Sequence, residues 1–477
     1  MSFISRRTSG LAGLSFVATT GLFGAYLGYP GLRKASAATT CTVTTADDSG
    51  AGSLRQCLLD NTSGTIIFDE SVTDTIALSS SLPTVALTSS LTIVGNGRDN
   101  TRIDGRDLYA AFSFTGDHTV SVSGATVVDG NAGYRVNGGG ALFSYDGDVV
   151  ISDSAFTDNY AFNNGGAIFA KNGAVSISGS TFTSNSTHYV GGAVRAESVT
   201  VTDSTFDSNR APTYAGGGGA LSTDFGAITV IDSTFSRNYG YTGGGAIKTF
   251  GAVVTITGST FADNHSANVV DYNGGAIKGG IPSAGATVRV ENSTFTGNSA
   301  GDKGGAIYVE NAASSISVNF STVSGNTTSG GSSGALHSAG SLSVTNSIVS
   351  NSTGGDVQGG SVTLSHSLIG TYSGTAPSSV IVGEDPLLDG LADNGGPTQT
   401  MMPRAGSPVL GAANPVGAPA TDQRGYTRTT NGRADMGAVE RLGVPPAADP
   451  SQMPPAWHQA TTRESQEAEC PPGMAPS

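Results

Sequence analysis

The sequence predicts an all-β chain folded as a parallel β-helix, and three observations support this fold class. Gly supplies 69 of the 477 residues and charged residues make up only 13%, a composition that suits turns and disfavours helical bundles and coiled coils. Short segments alternate apolar residues with Ser or Thr, which is the period of a β-strand. Residues 120–370 repeat one motif without helical spacing, which indicates a stack of similar coils.

The repeat unit reads V-x-V-x-(G/D/N)-S-x-F-x-x-N, followed by a loop and by G-G-A-(I/L/V). An apolar anchor fills the F position of each copy, mostly 24 to 29 residues after the previous one: Val127, Phe156, Phe182, Phe206, Phe235, Phe261, Phe295, Val323, Val349 and Ile369. The G-G-A segment starts at Gly139, Gly165, Gly191, Gly218, Gly244, Gly274 and Gly304, with a degenerate copy at Ser333-Gly334-Ala335. Each repeat is therefore one coil, and about ten coils are expected.

Three short strands are expected in each coil, formed by the V-x-V, S-x-F and G-G-A-I segments. The chain must turn between the first two, and the residues at that point tolerate a positive φ or cap a turn. These bend residues include Asp153, Gly179, Asp203, Asp232, Gly258 and Asn292.

Equivalent residues of neighbouring coils are expected to stack in columns about 4.8 Å apart. Phe156 to Phe295 then form an aromatic column inside the coils. The asparagines that follow the anchors form a hydrogen-bonded ladder: Asn159, Asn185, Asn209, Asn238, Asn264, Asn298, Asn326 and Asn351. Because such an amide already satisfies backbone groups, we interpret this column as structural rather than as a set of metal or sugar ligands.

The first 37 residues have the features of an export signal: Arg6 and Arg7, a weakly apolar stretch, and a small-residue site before Ala38. The paired arginines suggest the twin-arginine route, with the general secretory route and an uncleaved membrane anchor as alternatives. A secreted or cell-surface location is expected, with no membrane span in the mature chain. The formal net charge of -14 argues against a nucleic-acid partner.

We expect an N-terminal cap with the first coils at 38–119, the repeats at 120–370, a C-terminal cap at 371–440 and a disordered Pro- and Ala-rich tail at 441–477. Cys41 and Cys57 flank one short segment and form a possible disulfide after export, whereas Cys470 lies in the tail.

Parts of the sequence resemble two known protein groups. The G-G-A-I and F-x-x-N segments resemble the repeats of chlamydial polymorphic outer-membrane proteins. That resemblance implies a right-handed, single-stranded parallel β-helix of the pectin-lyase-like type and an adhesive surface role. Residues 393–398 (DNGGPT), 421–425 (TDQRG) and 435–440 (DMGAVE) are similar to the choice-of-anchor Q C-terminal domain, which implies an exported bacterial surface protein.

Many parallel β-helices are lyases or hydrolases of acidic polysaccharides, but their catalytic patterns find little support in this sequence. Acidic residues are scattered about one per coil, and the calcium-binding G-G-x-G-x-D repeat does not occur. The histidines show no metal-ligand spacing: His118, His188, His265, His337, His366 and His458. We therefore expect no catalytic residues, no metal and no cofactor, and keep a carbohydrate-active enzyme as the alternative.

One outward column combines basic and aromatic residues. It follows the apolar position of G-G-A-I and runs Phe143, Phe169, Arg195, Ser222, Lys248, Lys278, Tyr308 and His337. Aromatic rings stack on sugars and cations attract uronate or phosphate groups. The candidate glycan-binding residues are thus Phe143, Phe169, Arg195, Lys248, Lys278 and Tyr308, the alternative being a solvated strand with packed aromatic side chains.

The sequence thus favours an exported, non-catalytic surface β-helix that adheres to, or binds, a cell-wall or extracellular polysaccharide or a host or neighbouring cell. Regular Ser and Thr columns, such as Thr200 with Thr202 and Thr255 with Thr257, also occur on the outer face. Because exposed strands favour such residues in general and Arg289 and Glu291 interrupt the columns, an ice-binding rod is only a minor alternative.

Overall fold

The computed structural model describes residues 40–134, 138–267, 273–330, 334–429 and 431–443, and these form a parallel β-solenoid of about 11 turns. The expected export signal, Cys470 and nearly all of the expected tail lie outside the described residues. Parallel strands of successive coils pair into three sheets. The described residues include no helix long and apolar enough to cross a bilayer.

The first sheet has 22 described strands in two ladders. The V-x-V ladder contains Thr40–Val43, Gly64–Phe68, Leu91–Val94, Val120–Ser123, Val149–Ser152, Ala174–Ser178, Ser198–Thr202, Ile228–Ile231, Val253–Thr257, Thr287–Glu291, Ser315–Asn319, Leu336–Thr345 and Val357–Ser365. The G-G-A-I ladder contains Thr84–Ala86, Phe112–Thr115, Leu142–Ser144, Ile168–Ala170, Val194–Arg195, Leu221–Thr223, Ile247–Thr249, Ile277–Gly279 and Ile307–Val309. The long strand Leu336–Thr345 pairs with both ladders and joins them.

The second sheet contains the S-x-F strands. Its 13 described members are Ile76–Ala77, Arg102–Asp104, Thr126–Val128, Ala155–Thr157, Thr181–Thr183, Thr205–Asp207, Thr234–Ser236, Thr260–Ala262, Thr294–Thr296, Thr322–Ser324, Ile348–Ser350, Leu368–Ile369 and Ile381–Val382. Beyond it, Leu388–Ala392 and Thr400–Pro403 form an antiparallel pair.

A third sheet of two-residue strands follows the ladder asparagines and was not predicted. Its seven described strands are Tyr160–Ala161, Ser186–Thr187, Arg210–Ala211, Tyr239–Gly240, His265–Ser266, Ser299–Ala300 and Thr327–Thr328. Two residues are too few to show a period in the sequence, so only the pairing with neighbouring coils reveals these strands. A complete coil therefore has four strands rather than three.

One short helix, Leu54–Asp60, lies at the N-terminal end of the described solenoid. The Ser53 hydroxyl caps it by accepting a hydrogen bond from the Gln56 backbone N–H at 3.2 Å. Leu54, Cys57 and Leu58 are buried in the main core, and a disulfide joins Cys57 to Cys41 with Cα atoms 5.7 Å apart. The helix is thus fixed covalently to the first strand.

The expected bends are confirmed by the backbone. Each bend residue lies in the left-handed region, with φ of 47° at Asp153 and Asn292 and 63° at Gly258. Asp and Asn tolerate this conformation better than bulkier residues do, and Gly adopts it freely. The choice of Asp, Asn or Gly at these corners therefore follows from the turn between the first and second sheets.

The predicted aromatic column and Asn ladder fill the interior. Rings of Phe156 to Phe295 stack with centroids 4.6–4.9 Å apart and planes within 8°. The ladder asparagines from Asn159 to Asn326 are fully buried, and each of them up to Asn298 donates its amide Nδ2 to Oδ1 of the next ladder asparagine at 2.9–3.0 Å. The amide also donates to the carbonyl of an anchor in the preceding coil, as Asn238 does to Phe206 at 2.9 Å.

Asn351 was wrongly placed in this ladder. The register pairs Val323 with Val349, so the residue equivalent to Asn326 is Ser352, and Asn351 lies one position earlier. Asn351 is exposed with φ of 57°. It occupies a turn position, where the left-handed conformation suits an asparagine, and the ladder ends at Asn326.

The Ser of the repeat forms a second buried ladder that the sequence analysis did not predict. Each serine backbone N–H donates to Oγ of the next serine at 3.1 Å, and each Oγ donates to the carbonyl two residues before it at 2.6–2.8 Å. Its members are Ser154, Ser180, Ser204, Ser233, Ser259, Ser293, Ser321, Ser347 and Ser367. The hydroxyl thus satisfies the backbone at the corner, which explains why Ser recurs at this position from Ser154 to Ser367.

Residues 398–429 and 431–443, which we call the strap, lie along the outer face of the second sheet. The Thr398 hydroxyl donates to the Gly258 carbonyl at 2.8 Å, and Thr294 donates to Oε1 of Gln423 at 2.7 Å. Further along, the Ala438 N–H donates to Oγ1 of Thr322 at 3.0 Å. The strap therefore covers the downstream coils of this sheet.

In the last coils under the strap, the outer face of the sheet changes from Thr to apolar residues. Ile348 and Leu368 replace the Thr that precedes the anchor in earlier coils, and with Phe320 they pack against strap residues that include Val409 and Met436. Phe320 occupies a bend position with φ of 43°, which is unfavourable for a bulky residue. This second core holds the strap against the coils.

Two arginines and three acids of the strap are buried. Arg428 is fully buried: its guanidinium lies 4.7 Å from the Phe320 ring and donates to Oδ1 of Asn292 at 2.6 Å. Glu440 is at the centre of the acidic network, since its backbone N–H donates to Asp422 at 2.9 Å and its Oε2 accepts from the Asp435 N–H at 2.8 Å. Burial raises the pKa of Glu440 to about 7, although the Asp435 hydrogen bond opposes the shift.

Replacement of Asn238 by Ala is expected to lower the free energy of unfolding by roughly 2–4 kcal/mol, because the change removes two donated hydrogen bonds and leaves the Asn209 amide without its acceptor. Denaturant unfolding measures the loss. Asn351→Gly is the control and should change stability by less than about 1 kcal/mol, since Asn351 is exposed and glycine adopts its left-handed backbone conformation freely. Equal losses in the two variants would contradict the ladder.

Stability should fall as the pH rises from about 4.5 to about 7, since the folded chain holds the proton of Glu440 more tightly than the unfolded chain does. The contribution lost is roughly 3 kcal/mol. Glu440→Gln stays neutral at every pH, so this variant should gain stability relative to the native chain across that interval. Thermal unfolding midpoints of both proteins between pH 4 and pH 8 test this, and parallel pH profiles would refute it.

Candidate functional site

The six candidate glycan-binding residues lie on the G-G-A-I ladder in one register. Phe143 pairs with Phe169, and Phe169 pairs with Arg195. Lys248, Lys278 and Tyr308 continue the column after Ser222, and His337 follows Tyr308. The structure therefore brings these side chains together outside the main core.

Loops cover much of this column, so its side chains are less exposed than the alternation of inward and outward residues along the strands predicted. Phe169 and Tyr308 are buried, and Arg195 and Lys248 are only partly exposed. The lysine stems run beneath glycines of the preceding loops: a Cβ on Gly217 would lie 2.5 Å from Cδ of Lys248, and one on Gly243 would lie 2.6 Å from Cδ of Lys278. Glycine at these two positions leaves space for the lysines.

Lys248 carries a strongly perturbed amine. Its Nζ donates to Oγ1 of Thr242 at 2.7 Å and lies 5.4 Å from the centroid of the Phe250 ring. Burial lowers the pKa of Lys248 to about 8, and the positive charges of Lys278 and Arg195 act in the same direction. The amine is therefore partly neutral near physiological pH.

Arg195 is the charged residue at the centre of the column. Its Nη2 donates to both carboxylate oxygens of Asp224 at 2.8 Å, and its Nη1 donates to Oδ1 of Asn164 at 3.2 Å. The three hydrogen bonds that the guanidinium donates to residues of other coils thus fix its plane.

Two grooves meet at Arg195. The Phe225 groove has a volume of about 400 Å³ and is lined by Phe169, Lys171, Asn172, Arg195, Ala196, Glu197, Asp224, Phe225 and Gly226. The Tyr189 groove has a volume of about 350 Å³ and is lined by Asn163, Asn164, Tyr189, Val190, Arg195, Ala215 and Phe250. Together they form a concave surface that runs across several coils, the usual setting for a ligand.

Exposed aromatic residues border these grooves, and the sequence analysis did not single them out. The side chain of Phe225 is 64% exposed and that of Tyr189 is 41% exposed. Tyr189 belongs to a row of loop side chains around Phe162, whose ring stacks on His188 at 4.6 Å, lies tilted against Tyr134 at 4.2 Å and meets Tyr189 edge-on at 6.2 Å. One or two aromatic residues recur between the ladder Asn and the G-G-A segment of these coils, and that recurrence was the available signal for Tyr189, whereas Phe225 follows its G-G-A segment and has no such signal.

Acidic and basic side chains share the Phe225 groove. Lys171 and Glu197 are exposed at its edge, while Asp224 is held by Arg195. Lys171 also lies over the Tyr145 ring at 4.2 Å and donates to its hydroxyl at 3.1 Å. Within the described part of the chain, no group of three or more His, Cys, Asp or Glu residues could hold a metal ion.

The fold and repeats define a parallel β-helix protein with repeats like those of polymorphic membrane proteins. Residues 91–252 match the family model of the right-handed β-helix region, and residues 292–310 match the model of the Chlamydia polymorphic membrane protein repeat. The chain matches no curated protein and no solved structure.

Replacement of Lys278 by Met is expected to raise the pKa of Lys248 from about 8 part of the way toward 10.5, because burial remains while the positive charge that lowers this pKa more than Arg195 does is removed. An NMR titration of the lysine side-chain carbons measures the shift. Lys171→Met is the matched control and should leave the pKa of Lys248 unchanged, since Lys171 contacts Tyr145 instead. A native pKa near 10.5 would show that Lys248 is solvated.

Proposed function

We propose that this protein is an exported, non-catalytic surface β-helix that binds polysaccharide in the two grooves at Arg195. The observation that carries the proposal is the meeting of two concave grooves at one fixed guanidinium, bordered by the exposed rings of Tyr189 and Phe225. Aromatic faces pack against the apolar faces of sugar rings, and fixed polar groups orient the hydroxyls.

Several sequence features support a surface location. The Chlamydia polymorphic membrane protein repeat matches residues 292–310, and the C-terminal motifs resemble the choice-of-anchor Q domain of exported surface proteins. The N-terminal residues have the composition of an export signal. In this proposal the solenoid displays its grooves outside the cell, where they adhere to a cell-wall or extracellular polysaccharide.

A carbohydrate-active enzyme is the second candidate, and one observation favours it. Glu197 and Asp224 line the same groove as Lys171 and Arg195, so carboxylates and basic groups face one cavity. Glycoside hydrolysis needs such a pair of carboxylates on either side of the scissile bond. Depolymerisation of a bound glycan, lost in Glu197→Gln, would establish this alternative in place of a purely binding role.

The double variant Tyr189→Ala, Phe225→Ala is expected to weaken polysaccharide binding about tenfold, which corresponds to about 1.4 kcal/mol for two lost stacking contacts. Affinity electrophoresis in gels that contain single polysaccharides measures the retention, and chromatography of the same polymers after incubation measures depolymerisation.

Val416→Ala is the control for this experiment, because Val416 is 82% exposed on the strap, away from the grooves. Unchanged thermal stability of both variants would show that the fold is intact. Equal retention of the native and double-variant proteins would disprove the assignment of the grooves as the binding site.

A further inference from the structure

The charges that line the grooves balance one another. In the Phe225 groove the two cations Lys171 and Arg195 face the two anions Glu197 and Asp224. In the Tyr189 groove the described lining has Arg195 as its only ionisable group besides Tyr189. The Arg195 guanidinium lines both grooves, and its ion pair with Asp224 neutralises it in each.

Asp224 neutralises Arg195 and occupies the hydrogen-bonding position that a ligand carboxylate would otherwise take. Both Asp224 oxygens accept from Nη2 at 2.8 Å, and the Arg195 side chain is only 20% exposed. A uronate that approached the guanidinium would have to displace Asp224 or lie next to its charge. The chain as a whole adds a net charge of -14, which repels a polyanion further.

The groups at the Tyr189 groove suit uncharged hydroxyls. Asn164 and Tyr189 both donate and accept hydrogen bonds, as sugar hydroxyls do. Arg195 makes three hydrogen bonds, fewer than its five N–H groups can donate. The rings of Tyr189 and Phe250 add apolar surface on the same groove.

We propose that the ligand of these grooves is a neutral polysaccharide, and that Asp224 excludes acidic ones by occupying the Arg195 guanidinium. This inference rests on the proposed polysaccharide-binding function and specifies its ligand class. The basic column led us to expect attraction of uronate groups. In this proposal, aromatic stacking on sugar rings and hydrogen bonds to sugar hydroxyls bind the ligand instead.

The test compares neutral and acidic polymers. Galactomannan, xyloglucan and dextran serve as neutral probes, and polygalacturonate and alginate as acidic probes, in affinity electrophoresis with the full chain. At least one neutral polymer should retard the protein, with a dissociation constant that changes less than about twofold between low salt and about 0.5 M NaCl, since no net charge is involved. The acidic polymers should give no retardation.

The Asp224→Asn variant tests the role of Asp224 directly. Asparagine has nearly the same shape but no negative charge, so Arg195 is no longer neutralised. This variant should gain retardation by acidic polymers that disappears at high salt, while Glu197→Gln and Val416→Ala should gain less or none. Circular dichroism and thermal midpoints report whether each variant is folded.

The outcomes separate the two claims. Salt-sensitive binding of the native chain to acidic polymers, stronger than to any neutral one, would overturn the neutral-ligand inference and leave the binding function in place. An Asp224→Asn protein that folds but gains no acidic binding would overturn the role assigned to Asp224. Absence of binding to every probe would refute the proposed function itself.

Discussion

Parallel pairing between equivalent strands of successive coils is the constraint on which the rest of this structure depends. Every residue of a paired strand lies about 4.8 Å from its counterpart in the next coil, so each strand position must be compatible with a copy of itself. Phe can stack on Phe, Asn can donate to Asn, and the Ser hydroxyl can accept from the serine backbone N–H of the preceding coil. A charge stacked on the same charge would repel, which accounts for the low charge content of the chain.

The same constraint explains how much the sequence could predict. Residues repeated in every coil, such as the Phe column, the Asn ladder from Asn159 and the bend at Asp153, have one self-consistent arrangement, and the structure shows it. In the final coils Val or Ile replaces Phe at the anchor position, so the motif fits the sequence equally well when it is shifted by one residue. The prediction at Asn351 was wrong for this reason.

Features that depend on one coil or on distant contacts could not be predicted in this way. The Thr294 hydroxyl bonds to Gln423, 129 residues further along the chain, and no local pattern reports such a contact. Loops over the G-G-A-I ladder differ in length and sequence, so the burial of Phe169 and the grooves at Arg195 follow from how individual loops pack. The sequence therefore predicted the column in which the candidate residues lie. It did not predict which surface around that column stays open to a ligand.

The strap covers only part of the solenoid, and the covered and uncovered coils can therefore change in different ways during evolution. Upstream of Gly258, each coil contacts mainly its immediate neighbours, so duplication or deletion of a whole coil preserves every column. Downstream, Thr398 is bonded to Gly258 and Ala438 to Thr322, and this fixes the number of coils between those points. Evolution can lengthen or shorten the upstream half one repeat at a time, and the downstream half, once covered, has to change as a unit.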